Sequence, residues 1–283
     1  MQARTVERIS KPSVEDFRQR YLRRNQPVVI TGMMDSWKAL SAWSLPYLRE
    51  RIGEVPGFFA RSQDKGIYRQ DPNQGLPAPT QMRMAEFFDY LESSPPDSAR
   101  LSLMEAPMRE VFPMLMEDLQ IPAFPERVPD AINLWMGQTG NVTSLHYDAY
   151  ENLLTQVRGR KQVTLFSPDD WSKLYPQSFL CRAPHCFKVD LEAPDYERYP
   201  TLQNAQPYVA EIGPGEMLFI PFTWAHHVRT VEGGISVNFW WHARAHQMAS
   251  TLYLRLLVQL GRLVGQEVLR SARAKVGLDR PAA

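Results

Sequence analysis

Apolar positions along the first hundred residues follow two alternating rhythms. Ser13, with Asp16 three positions on, marks a helix start, and Phe17, Tyr21 and Leu22 share one helical stripe across residues 14–24. The run from Pro27 to Gly32 is β-branched and short, as a strand is. Pro46 opens a second amphipathic stretch carrying Leu48 and Ile52, and residues 82–91 read as a third helix, ended by the polar stretch around Pro95 and Pro96. From Ala131 to Trp241 the rhythm changes to brief runs of Val, Ile, Phe, Trp and Thr punctuated by Gly and Pro. Strands are predicted at 132–136, 144–148, 153–157, 162–166, 217–220, 224–231 and 235–241, with an insertion at 167–214 that holds a short helix at 169–175. Beyond Ala243, Met248, Leu252, Leu256, Leu260 and Leu263 form an apolar helical stripe.

This pattern predicts a mainly β chain built on an antiparallel barrel or jelly roll. Residues 1–130 form an α/β extension, 131–243 the barrel, and 244–283 a helical region.

Composition narrows the picture without changing it. The 283 residues are 44% hydrophobic and 22% charged, enough for one large globular domain or a domain with extensions. Lys plus Arg number 32 against 31 acids, so the net charge of +1 gives no overall electrostatic footprint for nucleic acid or an anionic membrane. The N-terminus lacks the apolar core of a secretory signal, and no run approaches the ~18 apolar residues of a membrane span, so the chain reads as cytoplasmic. Only Cys181 and Cys186 occur, with His185 between them. They exclude a disulfide framework, and a structural zinc site there needs a fourth ligand from elsewhere.

The chemistry gathers at His146-Tyr-Asp148, where the period of two along a strand turns an imidazole and a carboxylate to one face. A third ligand is offered by His226 or His227. Trp224, His226 and Val228 share a largely apolar face, whereas His227 sides with Arg229, so alternation points His226 into the barrel. Two histidines and one carboxylate leave three adjacent coordination positions open, the facial triad of non-haem Fe(II) oxygenases.

The chain resembles the JmjC-type, cupin-fold hydroxylases, whose core is a double-stranded β-helix, and most closely the asparaginyl hydroxylases that act on hypoxia-inducible factor and their bacterial relatives. The resemblance rests on Gly140-Asn-Val-Thr143, His146-Tyr-Asp148, Pro194-Asp-Tyr-Glu-Arg-Tyr-Pro200, Gly213-Pro-Gly-Glu216, Ile220-Pro221, His226-His227 and Val237-Asn-Phe-Trp240. It implies Fe(II) held by His146, Asp148 and His226, with 2-oxoglutarate and O2 as co-substrates. It also implies that Lys161 meets the distal carboxylate of 2-oxoglutarate, Thr143 adds a hydroxyl to it, and Asn152, Asn238 and Trp240 line the same pocket. Strict alternation sets Thr143 opposite His146, so a bulge or strand start must lie between them. Ala225 departs from the family, which commonly has an aromatic residue before the first histidine. The tail stripe from Met248 to Leu263 resembles the C-terminal helices through which the related asparaginyl hydroxylase forms a homodimer, and it fits packing on the chain's own barrel equally well.

The implied reaction is hydroxylation of a protein or peptide side chain, coupled to decarboxylation of 2-oxoglutarate to succinate. Histone demethylation fits less well, because demethylases of this type commonly carry glutamate where Asp148 stands. The alternatives are a hydroxylase of a modified tRNA base or small metabolite, and a non-catalytic cupin-fold binding protein.

Overall fold

The computed structural model describes residues 2–62, 66–68, 78–94, 99–178 and 181–243. The tail stripe from Met248 to Leu263, with the helical region and dimer contact expected there, lies outside the described residues. Among the described residues thirteen strands occur: β1 (Arg4–Thr5), β2 (Arg8–Ser10), β3 (Val28–Thr31), β4 (Pro56–Arg61), β5 (Ile67–Tyr68), β6 (Thr80–Arg83), β7 (Leu101–Pro107), β8 (Ala131–Gly137), β9 (Val142–His146), β10 (Glu151–Phe166), β11 (Tyr208–Ile212), β12 (Glu216–Ile220) and β13 (Ala225–Trp241). Among the described residues no helix is long and apolar enough to cross a membrane.

Two long strands organise the barrel. The first half of β10 pairs with β12 and with the last half of β13, while its second half pairs with β11 and the first half of β13. Both strands therefore pass from one sheet of a jelly roll into the other. One sheet runs β2-β3-β12-β10-β13-β8-β7-β4-β6, and the other adds β1 and β11 on one side and β9 and β5 on the opposite side. The four strands predicted at 153–157, 162–166, 224–231 and 235–241 are the halves of these two. Pairing does not stop between them; its register shifts around Arg158 and Arg160. Gly159 sits at φ +69°, where a Cβ would lie 2.4 Å from the Gly233 carbonyl oxygen, and one on Gly234 would lie 2.0 Å from that of Arg158. Only glycine lets the two backbones cross so closely.

A further strand was hidden in the insertion. Tyr208–Ile212, assigned by sequence to the connection 167–214, forms β11 against the second half of β10. Its Ala and Glu weaken the β signal, and its pairing partner is distant in sequence.

Three apolar clusters follow from strand alternation. Val29, Leu154, Leu218 and Ile220 from one sheet meet Val163, Leu165, Ala210 and Ile212 from the other inside the barrel. The outward residues Val28, Ile30, Leu153, Phe219, Val237 and Phe239 are covered by N-terminal helices through Phe17, Trp37, Trp43 and Leu48. On the other sheet, Leu145, Tyr147, Phe166 and Ala225 are covered by Trp171, Leu174, Phe187 and Leu202 of the insertion.

The helices match the sequence in place but differ at their edges. Ser13 Oγ accepts from the Asp16 amide at 3.1 Å, but only Val14–Phe17 is α-helical; Arg18–Leu22 widens into a π turn. The wider turn keeps Phe17, Tyr21 and Leu22 all buried. The helix expected at 82–91 starts at Met84, because Thr80–Arg83 is drawn into pairing with β4, and it buries Met84, Phe87 and Phe88.

A candidate metal centre and its inner chamber

His226 and His146 face one another directly across the β9–β13 pair, their ring centroids 4.2 Å apart. Asp148 completes the group: its carboxylate oxygens lie 3.9 Å from His146 Nε2 and 3.6 Å from His226 Nε2. The three donor atoms fall within 4.8 Å of one another, as a shared metal ion requires. The route to this arrangement differs from simple alternation. β9 ends at His146, and Asp148 lies two residues beyond it, where its carbonyl accepts from the Thr223 amide at 3.3 Å. His226 faces the site, as its parity implied, while His227 turns to the insertion. There His227 Nε2 lies 3.2 Å from Glu192, which also binds Arg229, and burial pushes the His227 pKa down to about 4.

The hydrogen bonds decide which ring nitrogen is free. His146 Nδ1 is 2.8 Å from the Ser144 carbonyl, and His226 Nδ1 is 3.0 Å from the Trp224 carbonyl. A carbonyl can only accept, so each Nδ1 carries the proton and each Nε2 presents a lone pair toward Asp148. Burial and the neighbouring His226 hold the His146 pKa down to about 4, which keeps the ring neutral. Two Nε2 atoms and a carboxylate thus face each other, the donor set a divalent cation satisfies. Asn152 Nδ2 donates to Asp148 Oδ2 at 3.1 Å and fixes the carboxylate's orientation.

The bulge that alternation required is present. Along β13 His226 and Val228 are two positions apart, but their partners on β9, His146 and Thr143, are three apart. The extra residue turns Thr143 into the barrel. An odd count also separates Gln156 from Lys161 on β10, and the register shifts between them bring Lys161 inward opposite Thr230. Thr143 and Lys161 then line one small chamber of about 30 Å³ with Tyr68, Ser102, Trp135 and Asn141. The Lys161 residue is half-buried, yet desolvation depresses its ammonium pKa to about 8, and no acid among the described residues pairs with it. Its nearest aromatic partner is the Trp135 ring, 5.9 Å from Nζ.

Asn238 and Trp240 alternate with outward Val237 and Phe239 and belong to the same interior face as Asn152. Buried polar atoms accumulate there without partners: Trp135 Nε1, Asn141 Oδ1, Asn152 Oδ1, Asn238 Oδ1 and Trp240 Nε1. Orphans at this density are rare in a finished interior and suit a polar co-substrate between the metal position and Lys161.

Several neighbours escaped the sequence. Trp135 shares its strand face with Asn133 and Gly137, so alternation could have found it. Tyr68 could not be found that way, because β5 reaches β9 across 75 positions in a parallel pair, Tyr68 beside Thr143. Glu105 sits in a bulge of β7 at φ +48°, and burial together with the charge of Asp148 raises its carboxyl pKa. His185 reaches the centre from the insertion, its ring 6.4 Å from that of His146. Cys181 and Cys186 are both free thiols, and burial pushes Cys186 up to about 12. Among the described residues the only group suited to a metal is His146, Asp148 and His226.

Comparison with known proteins agrees with this architecture. The model of the cupin-like domain family matches residues 14–247. Lysine-specific demethylase 8 of Xenopus tropicalis is 32% identical over 246 residues, covering 83% of the chain and 52% of that protein. The bifunctional peptidase and (3S)-lysyl hydroxylase JMJD7 of Homo sapiens is 32% identical over 258 residues, 81% of each. The tRNA wybutosine-synthesizing protein 5 of Gallus gallus is 29% identical over 262 residues, 85% of the chain and 80% of that protein. Against the first of these the chain spans about half of the relative's length.

Proposed function

The chain belongs to the cupin-like domain family, in its JmjC branch, and from that premise we propose that it is an Fe(II)- and 2-oxoglutarate-dependent dioxygenase that hydroxylates a protein side chain. The observation that carries this reading is the paired tautomer of His146 and His226, which turns two Nε2 lone pairs onto Asp148. These three residues hold the iron, and Asn152 orients the carboxylate ligand. Bound together, Fe(II) and 2-oxoglutarate would activate O2, one oxygen atom going into succinate as 2-oxoglutarate loses CO2 and the other into a substrate C–H bond.

The chain's own residues bind and orient. Lys161 neutralises the distal carboxylate of 2-oxoglutarate, which would otherwise be buried without a partner, and Thr143 adds a hydroxyl donor beside it. Asn238, Trp240 and Trp135 satisfy their orphaned polar atoms on the co-substrate or its ordered water. The covered outer faces of both sheets keep the barrel rigid around the site.

A protein substrate is favoured because two of the relatives above are named for lysine in proteins. These names do not favour asparagine, so the finer resemblance to an asparaginyl hydroxylase is not carried into the proposal. A modified tRNA base is the second reading, supported by the relative named for wybutosine synthesis. Anaerobic titration of the chain with Fe(II) and 2-oxoglutarate should produce a visible charge-transfer band that His226→Ala removes and His227→Ala retains. Succinate release should then rise with peptide pools and yield a product heavier by one oxygen. A response to tRNA alone selects the second reading, and the absence of the charge-transfer band rejects both.

A further inference from the structure

A second cavity, of about 640 Å³, adjoins the Lys161 chamber, with Met136, Gly137 and Gly234 lining both. Its volume lies in the range of small-molecule sites. Trp43, Leu45, Leu91 and Ile235 make its walls largely apolar, and Arg100 and Arg158 bring two positive charges to it. Among the described residues no aspartate or glutamate lines it.

Neither arginine is paired with an acid among the described residues. Arg158 donates through Nε to the Trp43 carbonyl at 3.0 Å and through one terminal nitrogen to that of Ser41 at 3.2 Å, leaving the other terminal nitrogen without a partner among the described residues. Arg100 has no side-chain hydrogen bond or ion pair among them. Its seat is nonetheless specified: Gly66 and Gly140 hold positive φ beside it, and a Cβ on either would lie 3.0 Å or 2.0 Å from a guanidinium nitrogen. Ser94 Oγ and Gln138 Oε1 on the same lining are buried without partners. Cations and orphaned polar atoms along an apolar wall are costly unless a ligand completes them.

We propose that this cavity binds a small amphipathic carboxylic acid. Its apolar body lies against Trp43, Leu45, Leu91 and Ile235. Its carboxylate meets Arg100 and the free nitrogen of Arg158, with the Ser94 hydroxyl as a further donor. The site is separate from the metal centre and does not depend on the oxygenase reading.

Octanoate and its neutral counterpart 1-octanol serve as probes, measured by calorimetry on the full chain with Trp43 fluorescence as a second signal. Octanoate is expected to bind at least tenfold more tightly than octanol. Arg100→Gln should weaken octanoate about tenfold, the usual cost of losing a charged hydrogen bond, and leave octanol unchanged. Leu91→Trp, which fills the cavity without touching a charge, should block both probes and keeps the test decisive if Arg100→Gln fails to fold. Equal binding of the two probes overturns the proposal, as does octanoate binding that Leu91→Trp leaves intact. Displacement of octanoate by 2-oxoglutarate would place the probe in the Lys161 chamber and overturn it too.

Discussion

Raising the pH from 7 to 9 should weaken 2-oxoglutarate binding about tenfold, through Lys161 alone. Desolvation puts the free ammonium at a pKa of about 8, with no carboxylate among the described residues paired to hold its proton. The dicarboxylate needs the protonated form, so the dissociation constant scales as one plus ten to the power of pH minus pKa. That factor is about 1.1 at pH 7, about 2 at pH 8 and about 11 at pH 9. The sign is opposite to that of a carboxylate ligand, because a depressed ammonium loses its charge on going up in pH. His146 adds nothing in this window, since it is neutral above about 4. Calorimetry under anaerobic conditions with Mn(II), which stays soluble and does not turn over, measures the constant directly. Lys161→Arg, charged throughout, should flatten the profile. Lys161→Met should cost about 2–5 kcal/mol of binding, roughly thirty- to several-thousand-fold, and also remove the slope. An unchanged affinity from pH 7 to 9 in the parent chain would falsify the placement of Lys161 on the co-substrate.

Other consequences are as definite. His226→Ala should abolish tight Fe(II) or Mn(II) binding, whereas His227→Ala should keep it and lose only some thermal stability through the Glu192 contact; metal titration of both variants checks this. Asn152→Ala, which frees the Asp148 carboxylate, should lower metal affinity by about 10- to 100-fold without changing the circular dichroism spectrum. Gly159→Ala places a methyl at a positive φ and against the Gly233 carbonyl, so it should destabilise the fold by about 2–4 kcal/mol, read as a lowered urea midpoint. A stability within about 0.5 kcal/mol of the parent would mean that the crossing of β10 and β13 tolerates a side chain.

The elements of the barrel were legible because alternation is a local property. Val237 to Trp240 shows outward and inward positions in turn, and the same reasoning separated His226 from His227 before any pairing was known. The bulge at Thr143 was legible only as a contradiction, since two functional positions three apart cannot share a regular strand face. What alternation missed was continuity: the glycine-rich breaks at Gly159 and Gly233 look like turns in sequence, yet the backbone pairs through them. Tyr208–Ile212 was lost in the same way, as a short strand whose only strong signal is its partner.

By itself, then, the sequence determined the residue types of the candidate site and the face that His226, Asn238 and Trp240 take on their strand, because side-chain direction follows from a period of two. The tertiary structure decided which distant faces meet. It carried Asp148 past the end of its strand to the two histidines, set Tyr68 beside Thr143 across 75 positions, and enclosed Lys161 without a counter-charge. Those outcomes depend on register, bulges and strand crossing, which arise from pairing between segments far apart in the chain and leave no periodic trace in either one.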